Sequence, residues 1–377
     1  MNATRGRSTS SADHMGDSCF AAVPQGRPEK RATMTATPPG NATYRFTNTA
    51  VLSVAISEAP LVMTSAQIDE ALAETYARLD IRPGLLEGLA GIRERRWWPE
   101  DVSFADAAAM AGAKAIADSG IDPSRFGLLI DTSVSRAHLE PSAAVDVHHQ
   151  LGLPTSCINF DLANACLGFV NGMQLAGMMI DAGQIDYAII VDGEGSRALQ
   201  ERTIARLQQP DTTVADVFEN FASLTLGSGG AAMVLGRASD HPEGHRFIGG
   251  VARAATQHHE ICVGDMHRMR TDSRALLEAG IQLSVELWTE ANEQFDWSDL
   301  DCYVIHQVSN VHTQAVISAF GIDPERVPMS FPTYGNIGPA SIPTTIALQL
   351  DSLRAGDRLG CLGIGSGLNA AVIEIAW

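Results

Sequence analysis

Asn159-Phe160-Asp161-Leu162-Ala163-Asn164-Ala165-Cys166-Leu167-Gly168-Phe169 is the stretch that decides how this chain folds, and it carries one cysteine, Cys166. The residues before the cysteine favour a strand, and the small and apolar residues after it predict a helix over residues 167–183. A cysteine at a helix N-terminus experiences the positive end of the helix dipole, which favours thiolate over thiol. A buried structural cysteine would produce the same pattern, so the rest of the chain must decide.

Composition excludes several classes of function. The 377-residue chain has a net charge of −18, which argues against nucleic acid and anionic membranes as main partners. Its six cysteines include no CxxC pair, so we expect a reducing, cytoplasmic environment. No apolar run reaches the roughly 18 residues that a membrane-spanning helix needs, and we therefore expect no stable membrane insertion.

The chain divides into a tail and two globular halves. Residues 1–43 are rich in Ser, Thr, Ala, Gly, Pro and Arg without periodicity, which predicts a disordered tail. Translation could start at Met1 or at Met34. Strands and helices then alternate, which favours an α/β fold built in layers. We expect an N-terminal half over residues 44–240, which contains the cysteine, and a C-terminal half over residues 241–377.

Several helices can be placed from capping and proline signals. Thr64 and Gln67 form a capping-box pattern that opens a helix over residues 64–79. A helix over residues 141–151 has Pro141 at its first position. Further helices are predicted over residues 198–222, 272–295, 310–320 and 340–353.

Two segments of the first half resemble two segments of the second. Residues 227–235 (GSGGAAMVL) resemble residues 365–373 (GSGLNAAVI), and residues 129–135 resemble residues 304–309. Because the matches occur in the same order, they indicate an internal duplication.

A nucleophilic Cys166 would need a partner side chain and hydrogen-bond donors for a developing oxyanion. His306 ends an apolar strand and is the best candidate, although a histidine there can also be a satisfied core residue. Asn336 lies in a turn rich in glycine and proline, where asparagine either shapes the turn or donates to a carbonyl oxygen. Glu140 precedes a predicted helix start. Its negative charge either stabilises the N-terminus of that helix or serves as a base.

Two other motifs point away from phosphate and metal binding. Residues 363–367 (GIGSG) look like a phosphate loop, but a strand pattern follows them instead of a helix. Such a turn can instead aim backbone N–H groups at an oxyanion. His148-His149 and His258-His259 are pairs of adjacent histidines. Adjacent side chains on a helix or strand point in different directions, so we expect no metal site at either pair.

Four features follow one another along the chain: Cys166 after a strand, His306-Gln307, Asn336 before Gly-Pro, and the terminal glycine turn. In this order they resemble the thiolase superfamily. The resemblance is closest to the type III ketoacyl synthase-like condensing enzymes. Residues 91–96 also resemble the early motif of that branch. The resemblance implies the thiolase fold, a duplicated five-layer α-β-α-β-α sandwich.

Within that family, residues 46–377 are similar to enzymes that join two fatty acyl-CoA molecules head to head into a β-keto acid. This resemblance implies that Cys166 carries the first acyl group and that the N–H groups of Cys166 and Ser366 bind the oxyanion. His306 and Asn336 would stabilise the enolate of the second acyl-CoA. Glu140 would cross the interface of a homodimer to act as base in the other subunit's site. A heterodimer with a related chain is an alternative, and no cofactor is implied beyond acyl-CoA as substrate.

Some positions depart from the wider family. Leu85 and Leu89 stand near the places of a Trp and an Arg that clamp CoA adenine, and Val311 replaces an Arg that docks acyl carrier protein. The Val311 departure favours CoA over carrier protein. The alternative function is a decarboxylating type III 3-ketoacyl synthase that uses malonyl-ACP or malonyl-CoA. Cys361 is offset from the position of a degradative thiolase's second cysteine, so we expect it to be a strand residue.

Overall fold

The computed structural model describes residues 40–377. Most of the predicted tail, and Met34 with it, lies outside the described residues. The predicted end of the tail at residue 43 is wrong, because a strand already begins at Ala42. Asn41 fixes this start: its N–H donates to Glu290, and its side-chain amide donates to the carbonyl of Leu287.

Strands and helices alternate along these residues. The strands are β1 (Ala42–Arg45), β2 (Thr49–Glu58), β3 (Leu61–Thr64), β4 (Glu94–Trp97), β5 (Phe126–Asp131), β6 (Ile158–Asp161), β7 (Tyr187–Glu194), β8 (Gly229–Arg237), β9 (His245–Ala254), β10 (Cys262–Gly264), β11 (Met269–Thr271), β12 (Cys302–Ile305), β13 (Arg358–Gly365) and β14 (Asn369–Ala376). The helices are α1 (Ser65–Ala71), α2 (Ala73–Leu79), α3 (Leu85–Gly88), α4 (Phe104–Ser119), α5 (Ala143–Gln150), α6 (Gly168–Asp181), α7 (Arg197–Leu207), α8 (Val214–Glu219), α9 (Phe221–Thr225), α10 (Ser273–Phe295), α11 (Asn310–Phe320), α12 (Phe331–Tyr334) and α13 (Ser341–Ala347).

Local capping explains where several helices begin. The predicted capping box of Thr64 and Gln67 is present at the start of α1. The helix predicted over residues 198–222 is instead three helices, α7 to α9, because Thr213 and Asp216 form a new capping box after Pro210. The helix predicted over residues 340–353 ends at Ala347.

The strands form two sets with the same order and directions. In the first set β5 is parallel to β7, and β8 is antiparallel to both β7 and β2. In the second set β12 is parallel to β13, and β14 is antiparallel to both β13 and β9. The matching sequence segments lie at equivalent strands, β8 with β14 and β5 with β12. The predicted internal duplication is therefore confirmed.

Alternating burial shows how helices cover the sheet. In β8, Ala231 and Met233 face a central core that contains residues of α6 and α13, whereas Ala232 and Val234 face α4 and α5. In β14 the odd-numbered residues 371, 373 and 375 join the same central core, and the even-numbered residues face the core formed with α10 and α11. A sheet buried on both faces produces this pattern of continuous apolar strands. The layers follow the order α-β-α-β-α, which confirms the predicted fold class.

The two sets of strands are joined in space. β2 also pairs with β9 through Ala50 and Val51, so a ten-stranded sheet results, with β1 paired to β9 and β6 at one end. Residues 40–377 pack as one unit, and the boundary proposed at residue 240 lies in the connection between β8 and β9. None of the helices described here is both long and apolar enough to cross a lipid bilayer.

Candidate active site

Cys166 lies in the tight turn between β6 and α6, at the start of the helix as predicted. Ala165, just before it, adopts left-handed backbone angles with φ of 46°. The turn packs closely on β5: a Cβ at position 168 would lie 2.9 Å from the carbonyl oxygen of Thr132, so glycine is required there. Leu167 is buried, whereas Cys166 remains partly exposed and can be reached by a substrate.

The turn between β13 and β14 packs against the Cys166 turn. A Cβ at Gly365 would lie 2.8 Å from the carbonyl oxygen of Asn164 and 3.3 Å from the nitrogen of Leu167. The side-chain amide of Asn369 also donates to Oδ1 of Asn164 over 3.2 Å. Ser366 therefore lies beside the cysteine, although the two residues are 200 positions apart in the numbering.

His306 follows β12 and is 2 % exposed. Its N–H donates to the carbonyl of Leu362 on β13 over 2.8 Å. The next residue of β13, Gly363, contacts the other side of the site, because a Cβ there would lie 2.6 Å from the side chain of Leu167. Thus one strand, β13, links the histidine to the cysteine turn.

Asn336 is fixed by its backbone and by its own side chain. Its N–H donates to the carbonyl of Thr225, and its carbonyl accepts from Gly227. Its Oδ1 accepts from the N–H of Gly338 over 3.0 Å, so its NH2 group is the part that can donate to a bound carbonyl oxygen. A Cβ at Gly338 would lie 3.6 Å from the carboxyl carbon of Glu194, at the end of β7.

The electrostatics of the site favour neutral partners. Burial, with a smaller contribution from the nearby Glu194, raises the pKa of the Cys166 thiol to about 12. Burial lowers the pKa of His306 to about 3, with a smaller effect from His312. A helix N-terminus stabilises an anion by only ~1 kcal/mol, whereas burying an ion costs several kcal/mol. Both groups are therefore neutral at rest: Cys166 is a thiol and not the thiolate that the helix end alone would favour, and His306 is a neutral imidazole.

A set of buried acidic residues that the sequence did not predict lies near enough to act electrostatically on the cysteine. Burial raises the pKa of Asp131 to about 6 and that of Glu194 to about 7, and it also raises the pKa of Asp192. Thr132 Oγ1 donates to Asp192 over 2.6 Å, and the N–H of Ser133 donates to Asp131. The available signal was a pair of acidic residues at the end of the apolar strand β7.

Glu140 lies on the loop between β5 and α5 and is exposed. Within residues 40–377 its carboxylate forms no hydrogen bond or ion pair. The neighbouring Leu139 is 91 % exposed. α5 does not begin at Pro141 as predicted but at Ala143, because Asp161 accepts hydrogen bonds from the N–H groups of Ala143 and Ala144.

The remaining predicted positions have structural settings. Arg95, in the early motif, is fully buried and donates to Ser65 and to the carbonyl of Leu224. Leu89 and Val311, two of the departures from the family, are both about half exposed, and the N–H of Asn310 donates to the carbonyl of Ala90 between them. In the described part of the chain, no group of His, Cys, Asp or Glu side chains is arranged to hold a metal ion.

Comparisons with known proteins agree with this geometry. The family model of 3-oxoacyl-[acyl-carrier-protein] synthase III matches residues 160–254, and the model of its C-terminal part matches residues 291–377. An acyl-CoA:acyl-CoA alkyltransferase of Xanthomonas campestris is 45 % identical over 88 % of this chain and 99 % of its own length. The enzyme of that name from Shewanella oneidensis is 35 % identical over 88 % of this chain and 100 % of its own.

A crystal structure of the Xanthomonas campestris protein, called OleA, with a histidine replaced by asparagine superimposes with a TM-score of 0.87 and covers 88 % of this chain and 99 % of that one. A further structure of OleA, with a cysteine replaced by serine, contains lauric acid and lauroyl-CoA. It superimposes with a TM-score of 0.86 at 45 % identity, over 88 % of this chain and 100 % of that one. The chain therefore belongs to the type III 3-oxoacyl synthase family of thiolase-fold acyltransferases, in its OleA branch.

Proposed function

We propose that this protein joins two long-chain fatty acyl-CoA molecules head to head in a non-decarboxylative Claisen condensation, giving a 2-alkyl-3-ketoacid. The observation that carries the proposal is the 45 % identity, over nearly the whole described chain, to a protein named acyl-CoA:acyl-CoA alkyltransferase. The proposal is also supported by a partly exposed cysteine in a turn that packs against the glycine turn of β13 and β14, the strand pair whose Leu362 accepts the N–H of His306.

In the first step Cys166 holds the first acyl group. Its sulfur attacks the thioester carbonyl, the bond from carbon to the CoA sulfur breaks, and the thiol proton leaves with CoA as free thiol. The N–H groups of Cys166 and Ser366, on the two turns that pack together, are the proposed donors to the tetrahedral oxyanion. Because the thiol is neutral at rest, its proton must be transferred during the attack, and the departing CoA sulfur is its final acceptor.

In the second step a second acyl-CoA loses an α-proton to Glu140 of the partner subunit. His306 and Asn336 donate hydrogen bonds to the thioester oxygen as it becomes an enolate. A neutral imidazole suits this role, since it still carries one N–H donor. The enolate carbon attacks the acyl-cysteine, Cys166 is released, and water then hydrolyses the product thioester to the β-keto acid and CoA. This chemistry requires no further cofactor.

The surroundings of Glu140 support a homodimer. Leu139 is 91 % exposed, and Val134 and Ile158 are each about half exposed. Ile158 begins β6, the strand at the end of the sheet, whose outer edge can pair with a second chain. Exposed apolar residues beside an open strand edge are typical of an association surface, and this surface carries the one carboxylate that the mechanism needs from another subunit. A related but different chain could occupy the same surface.

The alternative is a decarboxylating 3-ketoacyl synthase that uses a malonyl group, which the descriptions of the matching family models favour. Such an enzyme obtains its carbanion by losing CO2 and needs no carboxylate base. Val311, in the place of a carrier-protein docking arginine, favours the head-to-head reaction. The β-keto acid from the head-to-head reaction would enter olefin, ketone or β-lactone formation in the cytoplasm. The enzymes that receive it would decide which of these products forms.

Incubation of the purified protein with myristoyl-CoA alone tests the proposal. We expect free CoA and, after spontaneous CO2 loss, a long-chain ketone detectable by mass spectrometry, with neither formed by Cys166→Ala. Product that forms only when malonyl-CoA or malonyl-ACP is added would refute the head-to-head reaction. A Glu140→Ala variant that condenses at the normal rate would remove the assigned base, and native mass spectrometry reports whether the chain dimerises with itself.

A further inference from the structure

The buried carboxylate of Glu194 is held by one exposed loop. The N–H of Val134 donates to Oε1 over 2.6 Å, and the hydroxyl of Ser135 donates to Oε2 over 2.6 Å. The N–H of Ser135 lies 3.4 and 3.3 Å from the two oxygens. Val134 and Ser135 begin the segment of residues 134–142, called here the Glu140 loop because it carries that residue.

Glu194 is itself rigidly placed. It is the last residue of β7, which pairs with β5 on one side and β8 on the other, and it is 7 % exposed. Its carbonyl accepts from the indole of Trp98 over 3.0 Å. A buried carboxylate requires hydrogen bonds to offset the loss of water, and each of the side-chain contacts given above comes from the Glu140 loop.

Asp161 anchors the loop a second time, on both sides of Glu140. Asp161 on β6 accepts from Arg136 over 2.7 Å and from the N–H groups of Ala143 and Ala144. Leu139 and Glu140, between Arg136 and Ala143, project into solvent. A base must lie within hydrogen-bonding reach of the proton that it removes, and a loop released at either end would spread Glu140 over many positions.

We infer that Glu194 is a positioning residue for the Glu140 loop and acts, through that loop, on the active site of the partner subunit. The inference rests on the proposed function, because it requires that Glu140 crosses to the other subunit. The competing explanation is local: Glu194 is close enough to Cys166 to influence the thiol electrostatically, and would then act on the cysteine of its own chain.

Mixed dimers separate these explanations. Two chains with different affinity tags are co-expressed, and the dimers that carry both tags are purified. One chain carries Cys166→Ala, so that the only working cysteine belongs to the second chain and the working site takes its Glu140 from the first. Glu194→Gln is then added either to the first chain, which supplies the loop, or to the second, which supplies the cysteine. This variant keeps the shape and one acceptor oxygen but removes the charge.

We expect Glu194→Gln in the loop-supplying chain to lower kcat by about tenfold, the effect of weakening charge-assisted hydrogen bonds, with KM nearly unchanged. The burst of CoA from acylation of Cys166 should persist, because that step does not use Glu140. In the cysteine-supplying chain the same variant should leave kcat at the level of the parent mixed dimer. The reverse pattern, or equal losses in both arrangements, would overturn the inference.

Two controls keep the result interpretable. Glu140→Ala in the loop-supplying chain should abolish condensation, whereas in the cysteine-supplying chain it should have no effect; failure of this pair would refute the crossing of Glu140 itself. Ser135→Ala removes one donor and leaves Glu194 intact, so it tests the same contact if Glu194→Gln does not fold. It should reproduce the dependence on the loop-supplying chain with a smaller loss, and an equal effect from either chain would count against the inference.

Discussion

The ionisation of Cys166 gives a prediction whose size follows from its burial. Burial raises the pKa of this thiol to about 12, so the thiolate fraction at pH 8 is about 10⁻⁴ and rises about tenfold with each pH unit. The imidazole of His306, with a pKa of about 3, is neutral throughout this range and cannot form an ion pair with the sulfur. Reaction of the free enzyme with a thiolate-specific reagent should therefore show no plateau between pH 6 and 10.

The assay is the rate of alkylation of Cys166 by iodoacetamide, followed by peptide mass spectrometry. The logarithm of the rate should rise linearly with pH, and His306→Ala should leave this slope and its position unchanged. His306→Ala should nevertheless abolish condensation, since it removes a donor to the enolate. A plateau with a midpoint near pH 7 that disappears in His306→Ala would show a thiolate–imidazolium pair and refute the electrostatic argument.

Three further outcomes follow from packing and charge. Asp161→Ala removes the cap of α5 and one anchor of the Glu140 loop. It should lower both condensation activity and the free energy of unfolding, the latter by about 1–2 kcal/mol as measured by urea denaturation. Unchanged stability would contradict the capping role. Gly168→Ala forces a Cβ against the Thr132 carbonyl and should cost about 1–3 kcal/mol and most of the activity, whereas Gly88→Ala, with open space around it, should be nearly neutral; equal melting temperatures would refute this contrast. The melting temperature of Glu194→Gln minus that of the parent should be more positive at pH 8 than at pH 5. The reason is that a carboxyl whose folded pKa is about 7 binds its proton more tightly when folded and so loses stability as pH rises from about 4.5 to 7; a constant difference would argue against the burial of a charge.

The fold was largely predictable because its determinants are local or repeated. Apolar strands buried on both faces alternate with helices, and the similarity between residues 227–235 and 365–373 reflects equivalent strands, β8 and β14. The places of Cys166, His306 and Asn336 in the fold, directly after a strand or within a turn, were also predictable from sequence, whereas their roles stay predictions.

The contacts that place the candidate site were not predictable in the same way. Ser135 meets Glu194 and Ala143 meets Asp161 only because strands distant in sequence lie side by side in the sheet. Pro141 predicts a helix start, but the hydrogen bonds that cap α5 come from Asp161 on β6, and the helix begins at Ala143. Arg95 was placed in a motif, whereas its neighbours Ser65 and Leu224 make it a residue of the protein interior.

The most direct test of the central claim, that a carboxylate removes an α-proton from a second acyl-CoA, is a kinetic isotope effect. Myristoyl-CoA deuterated at both α-positions is compared with the unlabelled substrate, as the only substrate, with release of the first CoA and formation of the ketone followed separately. We predict slower condensation with the deuterated substrate and an unchanged first release of CoA. Two results would contradict this prediction. One is condensation at the same rate with deuterated and unlabelled substrate under conditions where chemistry limits turnover. The other is a ketone that forms only with a malonyl donor.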